Sequence, residues 1–247
     1  YITLAADASH QGSSEGAPRM LDVPRKRVED VHGMCDVISL FPGVNTDRIG
    51  VLGICGGGGY TIKCAQTEKR FKAVATLSMF NSGVVRKNGF MDSQIDTIQE
   101  RIHEAAEARA REAAGEEPQL TPNMCTALTP EQADELPYDL YRDGYYYYGV
   151  NYPHPYSTFS YTVSSLLDLA SFDAVQGCEL IDQPLLMMAG SAADTFYMTE
   201  AVFAACTGTQ DKELFLVPGA HHIETYFKPE YVEQEMAKVT EFFNAKL

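Results

Sequence analysis

No apolar run in this sequence approaches the roughly 18 consecutive residues that a helix needs to cross a bilayer, so no membrane partner is expected. Cations are scarce. Against 34 Asp and Glu stand 19 Lys and Arg, a formal charge of −15, and no basic cluster reverses that sign locally. Such a field repels a polyphosphate backbone and removes nucleic acid from the expected partners. The cysteines at 35, 55, 64, 125, 178 and 206 form no CxxC pair and have no histidine at metal-ligand spacing, so no metal site is expected. Their scatter along a long chain argues against a disulfide framework and for free thiols in a reducing, cytoplasmic setting. Secretory and transit segments are not visible, and neither is an internal repeat.

What is present is a chain of 247 residues, 45% apolar and 21% charged, enough for one α/β core carrying an insertion. Short continuous apolar runs at Ile2–Ala6, Ile49–Ile54, Ala73–Ser78, Pro184–Ala189 and Glu213–Val217 predict strands buried on both faces of a parallel sheet. Between them, 24–40, 56–67, 197–206 and 229–245 carry helical spacing, with Pro24 suited to a helix start. This βαβ alternation predicts an open, mostly parallel sheet flanked by helices. One region breaks the rhythm. From 90 to 159 a charge-rich helical stretch, SQIDTIQERIHEAAEARAREAAGEE, precedes the tyrosine-dense YDLYRDGYYYYGVNYPHPY. It predicts a helical cap inserted into a core of 1–89 and 160–247. The chain opens inside an apolar, strand-like run without Met, from which we expect that residues preceded Tyr1.

The segment RIGVLGICGGGGY raises the question of function. A phosphate loop of the Walker type fails, because Gly53 and Gly58 are followed by Gly59 and Tyr60 where Lys and Ser or Thr are needed. A dinucleotide fingerprint fails at Cys55, which stands where the second glycine belongs. The remaining pattern is G-x-nucleophile-x-G: Gly53, Ile54, Cys55, Gly56, Gly57. In such a strand-to-helix elbow the nucleophile occupies a strained turn, and the residues two before and two after it must be small. The helix N-terminus is expected to favour the Cys55 thiolate, and the Gly56 N–H to serve as an oxyanion donor. Gly58 and Gly59 are expected to let the helix pack closely on its strand.

An elbow of this kind needs an acid after a later strand and a histidine after the last one. Asp194, beyond the 184–189 run, and His222, beyond the 213–217 run, meet that order. Asp168, Asp173 and Asp182 compete as the acid but read as solvated or capping groups. His221 competes with His222, and Glu224 could orient a histidine or bind substrate.

The motifs DASHQGSSEGAPR, VEDVHGMCDVISLFPGVNTDRIGVLGICGGGGY and ELFLVPGAHHIETYFKPEYV resemble those of α/β-hydrolases related to dienelactone hydrolase, over nearly the whole chain and weakly in 90–160. The resemblance implies an α/β-hydrolase fold with cysteine at the elbow. It maps the histidine to His222 through Gly219, Ala220, Ile223, Glu224 and Tyr226. It also implies a strand pair and a loop ahead of Tyr1, the loop supplying the second oxyanion donor, so that N-terminal strands completing the fold are expected to be missing from this sequence.

The expected activity is hydrolysis of an ester, thioester or lactone through Cys55, Asp194 and His222, with no cofactor required. Tyr145 and Tyr147 of the cap are expected to line the pocket for an uncharged, partly apolar substrate. The other expected partners are a second copy in a homodimer and the N-terminal segment. An acyltransferase, or a non-catalytic protein of the same fold that binds a ligand or partner, is the alternative.

Overall fold

The computed structural model describes residues 1–123, 126–156 and 159–247. Cys125 lies outside the described residues, and the other cysteines are free thiols. Among the described residues, β1 (Gly50–Ile54), β2 (Ala73–Leu77), β3 (Leu185–Gly190) and β4 (Lys212–Val217) form one parallel sheet in that spatial order. The register pairs Gly53 with Thr76, Leu77 with Met188 and Met188 with Phe215.

The helices are α1 (Pro24–Ser39), α2 (Gly56–Ala65), α3 (Ser82–Asn88), α4 (Ile98–Ala113), α5 (Pro130–Asp134), α6 (Asp139–Gly144), α7 (Leu166–Leu169), α8 (Phe196–Ala205) and α9 (Pro229–Lys246). None is long and apolar enough to cross a membrane.

Side chains alternate across the two central strands, as the period of two demands. Val74, Leu185 and Met187 pack on one face with Ile62 of α2 and Met198 of α8. Ala73, Ala75, Leu186 and Met188 pack on the other with Val239 and Phe242 of α9. Every residue of β2 and β3 is buried, which explains their unbroken apolar runs.

The Ile2–Ala6 run is not a strand. It is exposed, and its Ile2 and Leu4 form part of the wall of a 770 Å³ groove with Val51, Leu52 and Phe243. A ladder requires backbones about 4.8 Å apart, and no described strand lies between this segment and β1 to provide one. For the same reason β1 keeps an unpaired outer edge, with Leu52 and Ile54 exposed.

Within 90–159, α4 buries only Ala105 and Ala108; Glu100, Glu104, Glu107 and Arg109 face water as expected, while Arg101 and Glu112 turn inward onto neighbouring elements. The tyrosine run departs from α-helix: Tyr145–Asn151 winds as a π-helix directly after α6.

Candidate active site

β1 ends at Ile54, α2 begins at Gly56, and Cys55 makes the turn between them with φ 53° and ψ −127°. A non-glycine residue in this region costs on the order of 1–3 kcal/mol and persists only where its surroundings impose it. Here the imposition is visible. The Cys55 N–H donates to Leu77 O at 3.0 Å, while its carbonyl accepts from Gly58 N and Phe80 N at 2.9 Å each.

The neighbouring glycines divide by role. A Cβ at Gly53 would lie 2.6 Å from Thr61 Oγ1 and 2.8 Å from the Gly58 Cα, so the position admits no side chain. Gly58 and Gly59 bring α2 against the chain leaving β2, where Cβ atoms would meet Met79 Cα at 3.1 Å and Phe80 O at 2.5 Å. Gly57 corrects the expectation: it is exposed, and nothing lies within 4 Å of a Cβ built there. The turn points that residue to solvent, so the second small position of the pattern is not sterically required.

Cys55 is partly buried. Its thiol receives the Gly56 N–H and is hydrogen-bonded to the Tyr226 hydroxyl, and burial pushes its pKa above the ordinary thiol value despite these contacts and the positive charge of Arg86. The expectation of a resting thiolate is therefore reversed: desolvation outweighs the helix N-terminus.

His222 is buried beneath Phe80 and Tyr226. Its Nε2 lies 2.6 Å from the Tyr226 hydroxyl and its Nδ1 2.6 Å from Thr195 Oγ1. Burial lowers its pKa to about 3, so the ring is neutral at physiological pH. Two proton orders satisfy these contacts: Sγ–H to Tyr226 Oη, Oη–H to Nε2 and Nδ1–H to Thr195 Oγ1, or the reverse, Thr195 Oγ1–H to Nδ1, Nε2–H to Oη and Oη–H to Sγ. The structure thus joins Cys55, Tyr226, His222 and Thr195 in one chain.

Asp194 is adjacent in sequence but stands apart in hydrogen bonding. Its Oδ2 accepts from the Leu140 N–H at 3.0 Å, its Oδ1 is buried without a partner among the described residues, and burial raises its pKa. No hydrogen bond joins it to His222; Thr195 holds the imidazole instead.

The competing residues have structural partners. His221 Nδ1 meets Asp143 Oδ2 at 3.1 Å, linking this loop to α6. Glu224 accepts from the His221 N–H at 2.9 Å and pairs with Lys228. Asp173 accepts from Asn81 Nδ2 at 2.7 Å, Asp182 pairs with Lys69 at 2.8 Å, and Asp168 is exposed. Of the cap tyrosines, Tyr147 stacks near Tyr226, with centroids 5.9 Å apart, while Tyr145 is buried against Tyr146.

Sequence reasoning missed Thr195 and Tyr226 as working residues. Both stood in plain view: Thr195 follows the candidate acid, and Tyr226 closes the motif that fixed the register of His222.

No family model matches the sequence. The chain is 31% identical to the uncharacterized protein YcjY of Escherichia coli (strain K12), covering 100% of this chain and 80% of that protein. It belongs to the YcjY family. It is 32% identical to the uncharacterized protein PA2218 of Pseudomonas aeruginosa, over 92% of this chain and 60% of that protein's length.

The crystal structure of PA2218 superposes with a TM-score of 0.85 at 29% identity, covering 98% of this chain and 74% of that one. The α/β hydrolase GrgF from a Penicillium species gives a TM-score of 0.74 at 21% identity, covering 97% and 78%. These likenesses, with the parallel sheet and its flanking helices, make the fold that of the α/β-hydrolases. Thiohydrolase aneE of Aspergillus aculeatus is 30% identical over 48% of this YcjY-family chain and 36% of its own length.

Proposed function

We propose that this chain is an acyl hydrolase that cleaves an ester, thioester or lactone through a covalent thioester on Cys55. The observation that carries the proposal is the hydrogen-bond chain from a strained elbow thiol through Tyr226 to a buried, neutral His222. A neutral thiol and a neutral imidazole form a general-base pair, not a preformed ion pair.

In the proposed mechanism, the Sγ proton passes to Tyr226 Oη as Oη passes its own to His222 Nε2. Sγ attacks the carbonyl carbon, and the carbonyl electron pair moves to oxygen, where the Gly56 N–H receives the oxyanion. Collapse expels the alkoxide or thiolate, which takes the proton back along the same chain. Water, deprotonated by His222, then attacks the acyl-cysteine, releasing the acid and restoring Sγ–H.

Thr195 orients His222 in the resting arrangement. Asp194, one residue away with a buried unpartnered oxygen, is the acid we assign to the imidazolium that forms. Residues 90–159 serve as the cap in this reading, with Tyr147 contributing to an apolar binding wall and Tyr145, buried against Tyr146, packing the cap behind it. The outer edge of β1 and its groove suit an added parallel strand, and we assign them to an N-terminal segment that brings the second oxyanion donor.

Support for a hydrolase comes also from the relatives, among them a protein named a thiohydrolase. The placement of the chain with dienelactone-hydrolase-like enzymes belongs to the same proposal.

The test is turnover of p-nitrophenyl esters and acyl thioesters by wild type and Cys55→Ala, with intact-mass detection of an acyl adduct. Turnover and an adduct in wild type, both lost in Cys55→Ala, are expected. Undiminished turnover in the variant removes Cys55 from the mechanism, and neither turnover nor adduct in wild type leaves the ligand-binding alternative.

A further inference from the structure

Arg86 lies on α3, one turn beyond Ser82, and the two share a helix face at a Cβ separation of about 5–6 Å. Ser82 Oγ would lie 3.3 Å from a Cβ at Gly56, so this face of α3 begins beside the nucleophile elbow and leads away from it. The charge of Arg86 reaches Cys55, Tyr60 and Tyr141.

The chain has a large excess of acids, yet none is placed on this guanidinium. Among the described residues Arg86 forms no ion pair, its Nε is buried without a hydrogen-bond partner, and its head rests 5.0 Å above the Tyr161 ring. A partly buried, unpaired cation is costly unless an anion completes it.

Arg86 also lines two neighbouring cavities, of 590 and 250 Å³, and Tyr141 and Tyr161 line both with it. Neither tyrosine hydroxyl has a hydrogen-bond partner among the described residues. The other cation in the larger cavity is occupied: Arg101 donates to the carbonyls of Arg86, Lys87 and Gln94 at 2.7, 2.5 and 2.9 Å. Glu104 is exposed at the rim of that cavity.

Resting on the proposed acyl hydrolysis at Cys55, we propose that Arg86, with the hydroxyls of Tyr141 and Tyr161, receives a carboxylate carried on the acyl portion of the substrate. The guanidinium fork matches a carboxylate, and two phenol donors complete the shell. The substrate class is then a half-ester or half-thioester of a dicarboxylic acid, in place of the uncharged acyl group expected from the cap tyrosines alone.

The test compares kcat/KM for matched N-acetylcysteamine thioesters of glutarate and pentanoate. Wild type is expected to favour the glutaryl thioester by about 10–100-fold, the scale of a hydrogen bond to a charged group. In Arg86→Gln that ratio falls toward one, while Arg86→Lys and Tyr161→Phe keep part of it. A wild-type ratio of one or below, or a ratio that Arg86→Gln and Tyr161→Phe leave unchanged, overturns the proposal. A second measurement is independent of turnover: titration of Cys55→Ala with monomethyl glutarate and with methyl pentanoate. Tighter binding of the acid, lost in Cys55→Ala/Arg86→Gln, supports the carboxylate site even where no thioester is cleaved, in which case the hydrolase reading alone fails. Equal binding of the two overturns the site.

Discussion

The Tyr226 hydroxyl lies 2.6 Å from His222 Nε2 and is at the same time hydrogen-bonded to the Cys55 thiol, so a phenol stands between the candidate nucleophile and its base. Desolvation of all three groups makes this arrangement consequential. Burial drives the pKa of Cys55 up, that of Tyr226 well up and that of His222 down, leaving each neutral at rest.

Tyr226→Phe keeps the ring that packs against Tyr147 and removes only the hydroxyl. The expected result is a loss in kcat/KM of about 100-fold, the usual scale for a missing proton-transfer partner, with a fall in stability of about 1–3 kcal/mol because His222 Nε2 is left buried without a partner. Iodoacetamide labelling gives a second readout. Because Cys55 is a thiol at rest, its labelling rate in wild type is expected to keep climbing above pH 9, with no plateau at low pH of the sort that a thiolate–imidazolium pair produces.

Thr195 and Asp194 compete for the role of orienting His222, and the hydrogen bonds separate them. Thr195→Val leaves Nδ1 buried without a partner, a loss of about 1–3 kcal/mol, and is expected to lower both kcat and stability. Asp194→Asn keeps an acceptor for the Leu140 N–H and removes only the charge. If Asp194 steadies the imidazolium, this variant loses kcat with KM and melting temperature held. Unchanged kcat in Asp194→Asn would assign the orienting role to Thr195 alone.

The frame of this site was readable from sequence because each part obeys a local rule. Runs buried on both faces announced β2 and β3, and the Gly53–Cys55 spacing announced a turn that the backbone angles of Cys55 now exhibit. What could not be read depends on neighbours distant in sequence. Ile2–Ala6 has the composition of a strand but pairs with no described strand. The pKa of Cys55 is set by how deeply the elbow is covered, which the helix position alone does not specify. The Thr195 contact to His222 spans 27 residues of sequence, and nothing in the acid–histidine template distinguishes it from one made by Asp194.

Gly53 and Gly57 occupy symmetric places in the elbow pattern but opposite surroundings. Gly53→Ala drives a methyl into the Thr61 side chain and the Gly58 backbone, an overpacking expected to cost about 1–3 kcal/mol and to distort the elbow. Gly57→Ala points its methyl at solvent and is expected to be neutral or slightly stabilising, since alanine is the better helix former. Urea unfolding of the two variants checks the difference, and equal destabilisation would contradict the open space seen at Gly57.

Glu235 on α9 is buried, its Oε1 unpartnered among the described residues, in a 370 Å³ cavity whose walls include Leu52, Ile54, Leu77, Met188 and Tyr226. Burial raises its pKa from 4.5 to about 8. A raised carboxyl pKa means that the folded state holds a proton the unfolded chain has released. The Glu235 contribution to stability is therefore lost as pH rises from 4.5 through 8. His222 acts in the opposite sense: with its folded pKa near 3 against 6.5, stability falls as pH drops from 6.5 toward 3. The two slopes oppose each other between 4.5 and 6.5, so unfolding free energy is expected to be flat there and to decline on the alkaline side. Glu235→Gln removes the titrating group while keeping its shape, and is expected to abolish that alkaline decline, a gain on the order of a few kcal/mol at pH 9. Chemical unfolding at pH 5.5, 7 and 9 measures it. A decline that survives in Glu235→Gln would place its origin elsewhere and would mean that the carboxyl finds a cationic partner in solution.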